Sequence, residues 1–236
     1  MKKILFSLLI LAAINADAQK TINDPNAEAR TVGSFHGLQV SNAFTVIVTQ
    51  ADVEGVAVSA GNKEDVAKIT TKVENGILRI GLNEGNKWWS KNPKLKAYIS
   101  VKTLDLIKAS GATDINIEGG LKVPSLKLEL SGASDLEGAL TVSDELEVRL
   151  SGASDITISG AAEKVTIDAN GASDVKAFDF TANTCSVEAS GASTVRITAD
   201  KEMSVKLSGA STVNYKGNAT IRDIKTTGAS SISRKS

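Results

Sequence analysis

Four aspartates, Asp114, Asp135, Asp155 and Asp174, recur 19 to 21 residues apart, each directly after a Ser-Gly-Ala-Ser-like tetrapeptide. An aliphatic residue follows each one (Ile115, Leu136, Ile156, Val175), so if the aliphatics face a core, the acids face outward along one edge. At one strand spacing of about 4.8 Å, neighbouring carboxylates repel by about 0.9 kcal/mol in water and more in a lower dielectric. Ca²⁺ prefers carboxylate and carbonyl oxygens and would relieve that repulsion. The competing reading makes them turn acids, each accepting a hydrogen bond from local backbone and screened by solvent. The pattern favours the turn role. Thr194, Thr212 and Ser231 take the same place in later repeats without disturbing the tetrapeptide, and the Gly-Gly-x-Gly-x-Asp calcium repeat is absent. Calcium at the four aspartates is thus a secondary expectation, and no cofactor is expected.

The other chemistry-bearing residues are few. Lys87-Trp88-Trp89-Ser90-Lys91 forms the only Trp pair, in a segment flanked by Gly, Asn and Pro. Exposed indoles between cations suit stacking on a sugar ring or anchoring a protein partner, while buried ones would cover the side or end of the fold. His36 is the only histidine, which excludes a multi-His metal site and makes any Ser-His-Asp triad depend on one residue in a turn-like Phe35-His36-Gly37. Cys185 is the only cysteine, so an intrachain disulfide is impossible, and its strand-like surroundings suit a small packed residue. The glycines are not spaced as in a Walker or dinucleotide-binding motif.

These residues are positioned by a repeat. The tetrapeptide glycines fall at Gly111, Gly132, Gly152, Gly171, Gly191, Gly209 and Gly228, at intervals of 18 to 21 residues. A period near 20 that tolerates single-residue slips marks a solenoid, in which each coil buries its apolar face by stacking on the next. Alternating runs precede the tetrapeptide (Leu126, Leu128, Leu130; Leu146, Val148, Leu150; Val165, Ile167, Ala169) and follow it (Ile115 and Ile117; Ile156 and Ile158; Val195 and Ile197). Period two with abundant Val, Ile and Thr predicts strands with one buried face, and the space between these pairs admits a third short strand per coil. The tetrapeptide is then a corner. Glycine supplies the bend, alanine is expected to point into the vertex, and the hydroxyls are expected to hydrogen-bond nearby backbone. The fold expected is all-β, a parallel β-helix. Helical solenoids are excluded by the lack of 3.6 periodicity, and an Ig-like sandwich has no reason for a near-invariant corner every twentieth residue.

Residues 31–109 are less regular but still strand-like, and are expected to form the first, wider coils, shielding that end against edge-to-edge growth. Ser41-Asn42-Ala43-Phe44 reads as a degenerate corner. Asn62 to Lys68 is the one helical candidate, with Asn62 as cap and Asp65 three residues on. Residues 110–236 carry the regular coils, and Ser233-Arg234-Lys235-Ser236 suits a solvated last coil. With no linker or composition break, residues 19–236 are expected to form one domain.

Lys2 and Lys3, an apolar stretch from Ile4 to Ile14 and Ala16-Asp17-Ala18 read as an export signal over residues 1–18, too short to span a membrane. The mature protein is expected in the periplasm, at the outer membrane or outside the cell, without a transmembrane segment. Acidic and basic residues balance at 27 each, and signal removal shifts this by a single charge, so no field steers nucleic acid or an anionic membrane.

The export signal, the β-rich first half with Phe35 to Val48 and Val56 to Val58, and the stacked Ser-Gly-Ala-Ser corners followed by Asp and an aliphatic together resemble the bacterial auto-transporter adhesin "head GIN" family, a domain of unknown function frequent in Bacteroidetes. The resemblance covers nearly the whole mature chain. It implies an exported right-handed, single-stranded parallel β-helix and supplies no catalytic motif. The function expected is a non-enzymatic binding, adhesion or structural module of the cell envelope, with a surface glycan or envelope protein as partner. The alternative is a carbohydrate-active lyase or hydrolase on the same scaffold. Such an enzyme needs carboxylates converging on one glycosidic bond, whereas the Asp row is a line, and basic positions such as Lys176 and Arg196 are not expected to recur in a fixed column.

Overall fold

Alternation dictates the elements. In the computed structural model, which describes residues 22–83 and 93–236, 65% of the described residues are strand and 2% helix. The export signal expected at residues 1–18 and the Trp88-Trp89 pair lie outside the described residues. The first half contains β1 (Glu28–Ala29), β2 (Gly37–Val40), β3 (Phe44–Gln50), β4 (Gly55–Ser59), α1 (Lys63–Val66), β5 (Ile69–Glu74), β6 (Ile77–Leu82), β7 (Leu95–Val101) and β8 (Leu106–Ala109). The second contains β9 (Asp114–Val123), β10 (Leu126–Leu130), β11 (Asp135–Leu150), β12 (Asp155–Ala169), β13 (Asp174–Ala189), β14 (Thr194–Leu207), β15 (Thr212–Lys216), β16 (Thr220–Thr226) and β17 (Ser231–Arg234).

From β8 onward the strands stack in parallel as a β-solenoid of about 6 turns with ~20 residues per turn, the architecture the repeat predicts. The third strand of each coil merges with its neighbours, so β11, β12, β13 and β14 run continuously from one corner to the next. Register shifts, such as that between Val142 and Glu145, absorb the variation in repeat length.

Inward side chains form columns along the axis. One runs Leu126, Leu146, Val165, Cys185 and Met203, another Leu128, Val148, Ile167, Val187 and Val205, all of them buried. Each such side chain contributes roughly 1.5–3 kcal/mol by leaving water. Cys185 fills its place between Val165 and Met203, and burial pushes its thiol pKa up to about 12.

The corners stack as well. All seven glycines have φ between 70 and 87°, and Asn42, with φ 82°, takes the same left-handed geometry below Gly111. Asn42 is thus the degenerate corner expected between β2 and β3. Each corner alanine donates its N–H to the preceding corner, as in Ala112 to Asn42 O at 2.7 Å and Ala153 to Gly132 O at 2.8 Å. A Cβ on any of these glycines would overlap the oxygen of the coil below, so glycine is required by close approach as well as by φ.

Two expectations are corrected. The corner alanine does not enter the vertex: Ala133, Ala153 and Ala172 are exposed, whereas the following Thr113, Ser134, Ser154, Ser173, Ser193 and Ser211 are buried. The physical reason is satisfaction of polar groups. Each of these hydroxyls donates to the carbonyl three residues back, Ser134 to Ser131 at 2.9 Å and Ser154 to Ser151 at 3.1 Å, which lets a polar side chain be buried without an unmade bond.

Nor are residues 31–109 simply wider coils. β6 and β7 do stack in parallel on β2 and β3, but β5 pairs antiparallel with β6, and β4 antiparallel with both β7 and β1. Reversed strands end the coil geometry, and α1, capped by Asn62 accepting from Asp65 N–H, buries Val66. The solenoid's first end is therefore plugged.

Candidate functional site: two polar ladders beside the corners

The strand after each corner begins with the aspartate position. Register places Thr45, Asp114, Asp135, Asp155, Asp174, Thr194, Thr212 and Ser231 in a single outward column. Two residues further, Asn116, Glu137, Thr157, Lys176, Arg196 and Asn214 form the adjacent column. Lys176 and Arg196 are thus direct cross-strand partners, which corrects the expectation that they share no column.

The pairing splits the aspartates into two kinds. Lys176 Nζ lies 3.0 Å from Asp155 in the coil before and 3.8 Å from Asp174, and Arg196 donates to Asp174. Those two carboxylates are neutralised by basic side chains of the adjacent column, so they are not merely turn acceptors. The hydrogen bond to Asp155 is the main reason the Lys176 pKa is raised. Asp114 is different. Its pKa is raised, by burial first and then by the neighbouring Asp135. Among the described residues no three Asp, Glu, His or Cys side chains gather as a metal site.

A second ladder flanks the corners on the other side. Counting back three residues from each corner gives Gln39, Lys108, Glu129, Arg149, Asp168, Glu188, Lys206 and Lys225, and strand register places them in one column. Lys108 and Lys127 lie 2.7 and 2.9 Å from Glu129, and Arg149 lies 2.6 Å from Glu147 in the adjacent column. Burial pushes the Glu129 carboxyl up, but Lys108 and Lys127 outweigh it and hold the pKa below its usual value. Between this ladder and the corner hydroxyls runs a shallow groove of about 440 Å³, lined among others by Lys108, Ser131, Arg149, Ser151, Asp168 and Asn170. Sequence reasoning passed over this ladder, although the fixed offset from the corner glycines would have revealed it.

His36 Nδ1 lies 2.9 Å from Asp105, and both side chains are about half exposed. Their surroundings are structural: the imidazole sits against Gly76, where a Cβ would overlap it.

Parallel coils closed by hydroxyl-bonded glycine corners and flanked by polar ladders define a β-solenoid scaffold. Residues 34–219 match the family described as "Putative auto-transporter adhesin, head GIN domain", and the chain belongs to that family. Its fold is similar to that of a Bacteroides fragilis protein described as a putative adhesin, at 22% identity, covering 89% of this chain and 96% of that one, with a TM-score of 0.81. A Parabacteroides merdae protein described in the same words is 16% identical over 89% and 95% of the two chains, with a TM-score of 0.69. A Parabacteroides distasonis protein described as a putative lipid binding protein is 18% identical over 89% and 96%, also with a TM-score of 0.69. At these identities the likeness is one of fold. No curated protein matches the chain. Among the described residues no helix is long and apolar enough to cross a membrane.

Proposed function

We propose that this protein is a non-enzymatic, exported binding module of the bacterial envelope, whose ladders contact an extended surface glycan. The observation that carries the reading is the spacing of polar groups: charges and hydroxyls repeat once per coil on both sides of the corner edge. An extended polymer lying along the solenoid axis gains one contact per coil from such a surface, and many weak contacts add by multivalency without a deep pocket. Membership of the adhesin-described family and the adhesin-described neighbours agree with export and surface contact. A lyase or hydrolase is less well supported. Its carboxylates must face one another across a glycosidic bond, whereas Asp114 to Asp174 stand side by side along one column.

The test is a glycan array with the wild-type protein, Arg149→Ala/Asp168→Ala and Trp88→Ala/Trp89→Ala. Binding of an extended glycan that the ladder variant loses, with unchanged melting temperature, is the expected result. An array with no bound glycan would remove the reading. Appearance of new reducing ends or unsaturated products from a polysaccharide panel would replace it with the enzyme.

A further inference from the structure

The two ends of the solenoid are unlike. At the first, β4, β5 and α1 close the stack, and Val58, Val66 and Leu78 remain fully buried. At the other, β16 pairs only with β14 and β17 only with β15, so among the described residues each leaves one edge of N–H and C=O groups unpaired. The core columns also run out there. Ile221 and Ile224 continue the columns of Met203 and Val205, yet Ile224 is 47% exposed, and Ile232 is only partly buried. An open sheet edge with apolar side chains at its inner face is a template for another strand.

The sequence of β16 indicates which strand. It reads Thr220-Ile221-Arg222-Asp223-Ile224-Lys225-Thr226, with apolar and charged residues placed symmetrically about the Arg222–Asp223 bond. A bulge at Arg222, where the register on β14 steps from Ile221 to Asp223, keeps Ile221 and Ile224 on the inner face and Arg222 and Asp223 on the outer one, so in an antiparallel pairing with a second copy about a two-fold axis through that bond Ile221 stands opposite Ile224 and Arg222 opposite Asp223, each pair occurring twice. Directly opposed residues of an antiparallel pair face the same side. The register therefore sets apolar residues against each other and opposite charges against each other.

We infer that two copies of this chain associate end to end through β16, forming a closed two-fold dimer. A two-fold contact uses the same patch on both partners and closes after two copies, so it does not propagate into an open fibre. Arg222 and Asp223 make exposed intrachain ion pairs with Glu202 and Lys225, which give little resistance to an exchange of partners across the contact. Lys216, Arg234 and Lys235 ring the same end, and their like charges oppose the approach. The dimer is accordingly reversible and concentration-dependent. It is independent of the glycan reading, since it uses the end of the solenoid and not its ladders.

Sedimentation equilibrium of the purified protein over a wide concentration range tests the contact. Wild type should reach twice the monomer mass, and Ile224→Glu should remain monomeric. Arg222→Asp and Asp223→Arg should each be monomeric alone, because each places like charges opposite one another. The double variant Arg222→Asp/Asp223→Arg should regain the dimer. An equimolar mixture of the two single variants should also dimerise, because the adjacent acids of one copy then meet the adjacent arginines of the other. That mixing result also shows that the single variants are folded at this end. A wild type that stays monomeric throughout, a dimer indifferent to Ile224→Glu and the charge exchanges, or open-ended polymers would each overturn the inference.

Discussion

The corner assignment can be tested at one coil by comparing Gly152→Val with Ser154→Ala. Gly152 has φ 78°, and a Cβ there would overlap the Gly132 carbonyl oxygen and lie 3.1 Å from the Gly132 nitrogen. A left-handed conformation costs an L-residue about 1–2 kcal/mol. Relieving the overlap must move adjacent coils apart, at the roughly 1–3 kcal/mol typical of overpacking, and weakens the Ala153 N–H bond to Gly132 O. The expected loss is about 2–5 kcal/mol in all. Ser154→Ala removes one buried hydroxyl and its 3.1 Å bond to Ser151 O while keeping the backbone, for about 1 kcal/mol. In a domain of this size about 1 kcal/mol lowers the melting temperature by roughly 2–4 °C. Calorimetry should therefore show a fall of about 10 °C for Gly152→Val and of about 3 °C for Ser154→Ala. Equal falls, or a larger one for the serine, would refute the stacked-glycine account. Gly152→Ala carries the same Cβ and should recover only part of the loss.

Three more outcomes are expected. Because the Glu129 pKa is lowered in the fold, its pairing stabilises the protein above the usual carboxylate value of 4.5 and is lost as pH falls through the lower folded value; Glu129→Gln should flatten the acid limb of a melting-temperature profile, and an unchanged limb would count against the pairing. Asp114 carries the opposite sign: its raised pKa means a relative stabilisation that is full below 3.8 and lost as pH rises through the folded value, so Asp114→Asn should melt higher than wild type at neutral pH. Cys185, buried with its thiol pKa pushed up to about 12, should resist a thiol reagent in the native protein and react on unfolding; prompt labelling of folded protein would contradict its place in the core column.

The regular half was legible because its signals are local. A glycine every 18 to 21 residues, flanked by alternating aliphatics, specifies both the bend and the buried face, and Asn42 was readable because it too tolerates positive φ. What was not legible depended on competition between groups. Alanine is the more apolar member of Ser-Gly-Ala-Ser, yet the serine is buried, because its hydroxyl closes on a carbonyl three residues back. The antiparallel pairs of β4 and β5 are set by partner strands, and period two gives no strand direction. Of the candidate site, the Asp row was placed correctly on an outward column, while its division into the paired Asp155 and Asp174 and the mutually repelling Asp114 and Asp135 required knowing which side chain of the next coil reaches back. The second ladder needed only the offset of three from each corner.

The hydrogen bonds that join each corner alanine to the corner before it reach no further than one coil. Duplicating or deleting one whole repeat leaves the first end, the last edge and the backbone bonding of every remaining coil unchanged, and alters the distance between the ends by about 4.8 Å together with the ladder pairings at the junction. The chain is in this sense a ruler, on which gene duplication adjusts length in fixed increments without redesigning either terminus.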